Sequence, residues 1–148
     1  MPKYIVLSVV ALCIAVAADR PALSGTWVFD PAHSVISESK IKSETLSIDQ
    51  QPESVKLSEN VTEISGKTNV SDISCNTAGQ SCKVKDRGAA EVSFWYNGGM
   101  LVMSEMRHGN DWVVKRRLKP SDDGRTLTIE VIHLAPTQNT ETLTFTRQ

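Results

Sequence analysis

The sequence predicts an all-β fold, an antiparallel up-and-down barrel of about 8–10 strands. From Trp27 to the C-terminus, apolar and polar residues alternate in short segments, and no window shows the 3.6-residue period of an amphipathic helix. Turn-forming residues separate these segments at short intervals, which leaves no room for crossover helices. Barrel closure would remove the exposed edges of such a meander, although a two-sheet sandwich is an alternative with similar strand spacing.

The first predicted strand carries Trp27 and Phe29 on one face and ends at Asp30-Pro31. Gly25, near its start, permits close approach of another backbone segment. A polar connection over residues 32–40 follows, with room for one helical turn. The later alternating segments are predicted over residues 45–49, 54–58, 61–64, 68–74, 83–85, 90–96, 100–107, 112–118, 125–134 and 140–147. Pairing each segment with the next in sequence gives the predicted meander.

Residues 1–18 are predicted to be a secretory signal peptide. Lys3 precedes an uncharged apolar run that ends in small residues, and cleavage after Ala17 or Ala18 would fit the small-residue rule. A retained membrane anchor is the alternative, but the run is shorter than the roughly 20 residues that a spanning helix needs. We therefore expect a secreted or periplasmic protein with no stable membrane span after cleavage, and a single β-barrel domain over residues 19–148.

The predicted mature chain keeps two of the three cysteines, because Cys13 leaves with the leader. In an exported protein an even pair indicates a disulfide, here between Cys75 and Cys82. A redox-active or metal-binding pair is the alternative, but a spacer of six residues matches neither the usual redox motif nor the usual zinc spacing. The disulfide would join the two ends of a short loop.

The predicted mature surface is close to neutral. Removal of Lys3 with the leader leaves 15 basic against 17 acidic residues, a formal charge of −2. A domain that binds nucleic acid through its phosphates would carry a clear basic excess. We therefore expect no nucleic-acid partner, and the sequence does not indicate a protein partner.

The two ends of the chain resemble the lipocalin superfamily. Gly25-Thr26-Trp27 stands near the predicted mature N-terminus, and Arg147 lies on the last predicted strand. In lipocalins a tryptophan of the first strand commonly packs against an arginine of the last strand and closes the base of the calycin-type barrel. The resemblance therefore implies this structural role for Trp27 and Arg147. The first segment and the endings over residues 123–129 and 141–147 are also similar to small secreted bacterial proteins of unassigned function.

A ligand cavity is predicted from the faces that the alternation defines. On the segment from Trp112, the even positions share a face that includes Arg116, a cation suited to binding a carboxylate or to pairing with an internal glutamate. His133 continues the apolar face of its own segment. The predicted cavity-wall residues are Phe94, Tyr96, Met106, Trp112, Arg116 and His133. They would bind a small apolar or amphiphilic molecule.

No constellation for catalysis, metal binding or cofactor binding is recognisable. The three histidines are scattered without the paired spacing of a metal site, no Gly-x-Ser-x-Gly motif occurs, and no glycine-rich phosphate loop follows a strand. We therefore expect no enzyme activity, no cofactor and no metal. Asn60 and Asn69 fit the N-glycosylation pattern, which matters only in a host that glycosylates exported chains.

Two functions are compatible with this architecture. The first is a secreted or periplasmic binding protein for a small apolar or amphiphilic ligand. The second is a filled barrel that acts as an envelope or extracellular protein-interaction module without a small ligand. An internal void of roughly a few hundred Å³ with Arg116 facing it would favour the first, and a fully packed interior would favour the second.

Overall fold

The computed structural model describes residues 20–37, 39–85, 90–107 and 111–148. Within these ranges the chain forms ten strands and one short 3₁₀ helix, and it has no helix that is long and apolar enough to cross a membrane. The strands are β1 (Gly25–Phe29), β2 (Ile41–Gln50), β3 (Ser54–Glu63), β4 (Thr68–Asn76), β5 (Cys82–Val84), β6 (Ala90–Asn97), β7 (Met100–Arg107), β8 (Trp112–Pro120), β9 (Thr126–Ala135) and β10 (Asn139–Arg147). The predicted leader and His108 lie outside the described residues.

All ten strands join one antiparallel sheet. Its order is β4-β3-β2-β1-β10-β9-β8-β7-β6-β5, so strands that follow each other in sequence pair with each other, except β4 and β5. The first and last strands also pair, with Trp27 opposite Arg147. The prediction of an antiparallel up-and-down barrel is therefore confirmed. The two-sheet sandwich is wrong, because a single continuous sheet contains every strand.

A disulfide joins the two strands at the ends of this sheet. Cys75 of β4 and Cys82 of β5 are bonded, and their Cα atoms are 6.0 Å apart. In the loop between them, the amide of Gly79 donates to the carbonyl of Phe94 over 2.8 Å. This hydrogen bond ties the loop to β6. The predicted disulfide is confirmed, and its position shows that it closes the barrel between β4 and β5.

The segment that precedes β1 closes one end of the barrel. Leu23 is fully buried there, and the indole Nε1 of Trp27 donates to its carbonyl over 2.9 Å. The guanidinium of Arg147 lies 4.4 Å from the centre of the Trp27 ring and donates to the carbonyl of Ser24 over 3.0 Å. Gly25 has φ +141, and a Cβ at this position would lie 3.3 Å from Arg147 Nη1. Only glycine suits both this backbone conformation and this close approach.

Apolar side chains fill the half of the barrel next to this closed end. Because successive residues of a strand point to opposite faces, each strand contributes alternate residues to the lumen. The buried core includes Trp27, Phe29, Leu46, Ile48, Val55, Leu57, Ile73, Phe94, Leu101, Leu118, Leu127, Ile129 and Phe145. The rings of Phe29 and Phe145 pack edge to face with their centres 5.7 Å apart. The closed half is therefore packed, and free space lies in the other half.

The connection between β1 and β2 runs along the barrel wall. Its 3₁₀ helix, Pro31–His33, begins after Asp30, whose carboxylate accepts a hydrogen bond from the amide of Ala32 over 3.0 Å. Val35 then pairs with Thr142 of β10 through two backbone hydrogen bonds of 2.7 and 2.9 Å. The helical turn expected in this connection is present, and the rest of the connection follows β10 towards the open end.

Strand β3 is longer than the sequence predicts. Residues 54–58 and 61–64 read as two segments, whereas Ser54–Glu63 form one strand. The cause is Glu59, a charged residue at an inward position that interrupts the apolar alternation. Its side chain is only 4% exposed and forms an ion pair with Arg116. Tertiary pairing therefore keeps the strand continuous where its local sequence suggests a break.

Candidate ligand-binding site

A cavity of about 810 Å³ occupies the end of the barrel opposite Leu23. Its wall is formed by the ends of β3, β7 and β9, by the beginnings of β2, β4, β8 and β10, and by Ser39 and Lys40 of the connection. Residues at its mouth, such as Lys67 and Asn69, are exposed. The volume lies within the range of small-molecule sites in proteins.

One part of the cavity wall is apolar. Its residues are Ile41, Val61, Val70, Trp112, Val114, Val131 and Leu143. The guanidinium of Arg107 lies 4.3 Å from the centre of the Trp112 ring, a cation–π contact that orients the indole. This wall offers contacts to a hydrocarbon chain or a flat ring.

An ion pair across the lumen forms the floor of the cavity. Arg116 of β8 bonds through Nη1 to Oε1 of Glu59 on β3. Four strands separate β8 from β3 in either direction around the barrel, so the pair spans its full width. Leu57 and Leu118, two residues nearer to the closed end on the same strands, are buried in the packed core. The pair therefore separates the apolar core from the cavity.

The floor contains further polar groups. The hydroxyl of Ser71 donates to Oε2 of Glu59 over 3.3 Å. The Nε atom of Arg116 is buried without a hydrogen-bond partner within the part of the chain that the structure describes. A buried donor without a partner is energetically costly, typically by about 1–3 kcal/mol. The floor is therefore a polar layer that apolar packing alone does not explain.

A second ion pair lies near the cavity mouth. Glu105, at 1% exposure, accepts hydrogen bonds from Nε and Nη2 of Arg107 over 2.9 and 2.7 Å. Both side chains belong to β7 and point to the same face. The carboxylate of Glu105 therefore compensates the charge of Arg107 inside the barrel. The same guanidinium also stacks on Trp112, and this contact fixes the orientation of the guanidinium plane.

A buried glutamate holds the β1–β2 connection against the cavity mouth. Glu141 of β10 accepts hydrogen bonds from the amides of Ser37 and Ser39 over 2.8 and 2.7 Å, and from the Ser39 hydroxyl. Its Oε2 atom is also 3.1 Å from Nε2 of His133. These contacts fix the position of Lys40, which follows Ser39 and lines the entrance.

The structure brings three of the six predicted cavity-wall residues together. Trp112, Arg116 and His133 line the cavity. Phe94 is instead fully buried in the packed core. Tyr96 lies at the closed end, where its hydroxyl accepts a hydrogen bond from Nε2 of Gln50 over 2.8 Å.

The inward assignment of Met106 is wrong. Residues directly opposite each other in the sheet share a face, and Met106 stands opposite Glu91, which is exposed, and Val113. The inward residues of β7 are the odd ones, among them Met103 at 0% exposure and Glu105. Apolar residues occur on both faces of this strand, so its alternation does not distinguish the inner face.

Sequence reasoning missed the internal glutamates. Glu44, Glu59, Glu105 and Glu141 are all buried. A signal was available for three of them. Glu59 has the same parity as Val55 and Leu57, Glu44 has the same parity as Leu46 and Ile48, and Glu141 has the same parity as Leu143 and Phe145. A charged residue on the apolar face of a strand indicates a buried polar group that needs a partner.

The two histidines that the structure describes lie in different places and have different partners. His33 contacts Asp30 through Nδ1 over 2.6 Å on the surface of the 3₁₀ helix, and His133 contacts Glu141 inside the barrel. Among residues 20–37, 39–85, 90–107 and 111–148, no three His, Cys, Asp or Glu side chains are grouped to hold a metal ion.

Similarity to known proteins is limited to the fold. No protein-family model and no curated protein sequence matches the chain. Among solved structures, the fluorescent protein UnaG has a TM-score of 0.61 at 14% identity, over 84% of this chain and 96% of that chain. An abundant heat soluble (SAHS) protein from Ramazzottius varieornatus has a TM-score of 0.63 at 9% identity, over 86% and 96%. The fatty-acid-binding protein isolated from Manduca sexta has a TM-score of 0.56 at 8% identity, over 84% and 98%. The chain therefore has the fold of a calycin-type β-barrel.

Proposed function

We propose that this protein is an exported binding protein that takes a small amphiphilic molecule into the open end of its barrel. The observation that carries the proposal is the cavity of about 810 Å³, which has Arg116 in its floor. A barrel filled throughout by side chains would have favoured an interaction module without a ligand. The void therefore supports the carrier function over that alternative.

The cavity wall suits a molecule with an apolar part and a polar part. Val61, Trp112 and Val131 offer apolar contacts, and the Arg116–Glu59 pair offers hydrogen-bonding groups at the floor. A purely apolar ligand would leave these polar groups dehydrated without a new partner. An amphiphile can place its polar group against the floor and its apolar part along the wall.

One sequence prediction and one structural feature support export. The predicted leader over residues 1–18 would direct the chain out of the cytoplasm. The Cys75–Cys82 disulfide is typical of proteins that fold in an oxidising compartment. The protein from Manduca sexta that shares the fold is by its name a fatty-acid-binding protein, and a fatty acid is a small amphiphile. We propose binding rather than catalysis, because the sequence carries no recognisable catalytic motif.

The test is saturable binding of Nile red, a neutral dye whose fluorescence rises in an apolar site. We expect one dye per chain, and we expect Val61→Trp to weaken binding because the larger side chain enters the cavity. Thr62→Trp is the matched control, since the neighbouring residue of a strand points to the opposite face. The proposal fails if the wild-type chain shows no saturable binding, or if the two variants weaken binding equally.

A further inference from the structure

The guanidinium groups that line the cavity are already compensated within the barrel. Arg116 bonds to Glu59, and Arg107 bonds to Glu105 over 2.7 Å. Both glutamates are nearly inaccessible, at 4% and 1% exposure. An incoming ligand therefore meets a paired cation and anion at the floor rather than an isolated positive charge.

This pairing changes which head group the cavity favours. A ligand carboxylate beside Arg116 would be attracted by the guanidinium and repelled by Glu59. Its full desolvation free energy would still oppose binding. A neutral hydroxyl or amide costs much less to desolvate. It can also accept a hydrogen bond from the arginine and donate one to the carboxylate, because such a group carries both functions.

We infer that the cavity selects a neutral amphiphile whose head is a hydroxyl or amide group, and discriminates against a carboxylate of the same size. The inference rests on the proposed function, since it concerns the ligand of the same cavity. The lysines at the mouth, Lys40 and Lys67, are exposed. Water screens them, so they add little attraction for a carboxylate at the floor.

Octanamide and octanoate test this selection, because their heads have nearly the same shape and differ in charge at neutral pH. In isothermal titration, we expect the wild-type chain to bind octanamide about tenfold or more tightly than octanoate. Glu59→Gln removes the carboxylate that is bonded to Arg116 and frees the guanidinium for a ligand carboxylate. We expect this variant to reverse the preference towards octanoate, by a comparable factor.

Two further variants make the test independent of the stability of Glu59→Gln. Glu130→Gln changes a carboxylate on the outer face of β9, where it pairs with Arg117, and should keep the wild-type preference. The double variant Glu59→Gln/Arg116→Gln removes both charges together and should also prefer octanamide. Equal or tighter binding of octanoate by the wild-type chain would overturn the inference and leave the carrier function standing. Binding of neither probe, together with no binding of Nile red, would overturn both.

Discussion

At the scale of single residues, Trp27 makes the contacts that hold the closed end together. It is fully buried, donates a hydrogen bond to Leu23 and lies beneath the guanidinium of Arg147. We expect Trp27→Ala to lower the free energy of unfolding by about 3–5 kcal/mol, because it removes this packing and leaves a cavity. Urea denaturation followed by circular dichroism measures the loss.

Trp95→Ala is the matched control for this prediction. Trp95 is half-buried on the outer face of β6, where Nζ of Lys115 lies 5.6 Å from the ring centre. We expect a clearly smaller loss of stability than for Trp27→Ala. Similar unfolding midpoints for the two variants would show that the closed end does not depend on Trp27.

The charge of Asp30 is expected to make stability depend on pH. The hydrogen bond from the His33 ring is the main cause that lowers the pKa of Asp30 below its ordinary value of 3.8. A lowered folded-state pKa means that the ionised group stabilises the folded chain above pH 3.8, and that this contribution is lost as the pH falls through the folded-state pKa.

The comparison of wild type with Asp30→Asn isolates this effect, since asparagine keeps the shape and removes the charge. We expect the difference between their melting temperatures to be largest near neutral pH and to shrink in acid below the ordinary pKa of an aspartate. A difference that stays constant across this range would contradict the stabilising role of the ionised carboxylate.

The faces of individual residues were predictable only where one face of a strand is clearly apolar. Arg116 and His133 were assigned to the inner face, where the structure places them. Arg116 lies between the buried residues Val114 and Leu118, and His133 follows the buried Val131 at the same parity. Met106 was not, since β7 carries apolar residues on both faces. The face of such a strand depends on its pairing with β6 and β8, which local alternation does not contain.

At the scale of elements, the disulfide between β4 and β5 is expected to strengthen the closure of the barrel. The bond closes a short loop, for which chain entropy predicts a stabilisation of about 2–3 kcal/mol. We expect the variant Cys75→Ser/Cys82→Ser to lose about this much in urea denaturation. Reduction of the wild-type chain should give a similar loss, and reduction of the variant should change nothing.

Free-thiol titration provides an independent check of the same element. The native chain without its leader should show no reactive thiol, because its two cysteines are bonded to each other. Two titratable thiols, or equal unfolding midpoints with and without reductant, would contradict a structural role for the bond.

Strand positions were predictable from turn chemistry more than from propensity. The hairpin after β6 is an example, since Asn97 pairs directly with Met100 and Gly98 adopts φ 57, a conformation that glycine tolerates. Strand β3 was divided in error because Glu59 interrupts its apolar pattern. Its partner is 57 residues away in sequence, so the compensation is invisible locally.

At the scale of the whole molecule, barrel closure followed from the number of short, sequential strands and the absence of room for crossovers. The position of the cavity could not be predicted from the strand pattern, because it depends on where the Arg116–Glu59 pair crosses the lumen. That pair joins strands on opposite sides of the barrel, and its level is set by the register of all the strands between them. No local pattern contains this information.

The central claim is that a small molecule binds in the open half of the barrel, above this ion pair. The three tryptophans report on three different places, because Trp27 is buried at the closed end, Trp95 lies on the outer face and Trp112 lines the cavity. Nuclear magnetic resonance of their indole N–H groups during titration with octanamide is the most direct measurement. The account predicts a saturable shift of the Trp112 resonance with the other two nearly unchanged. A shift confined to Trp27 or Trp95, or no saturable shift at all, would contradict it.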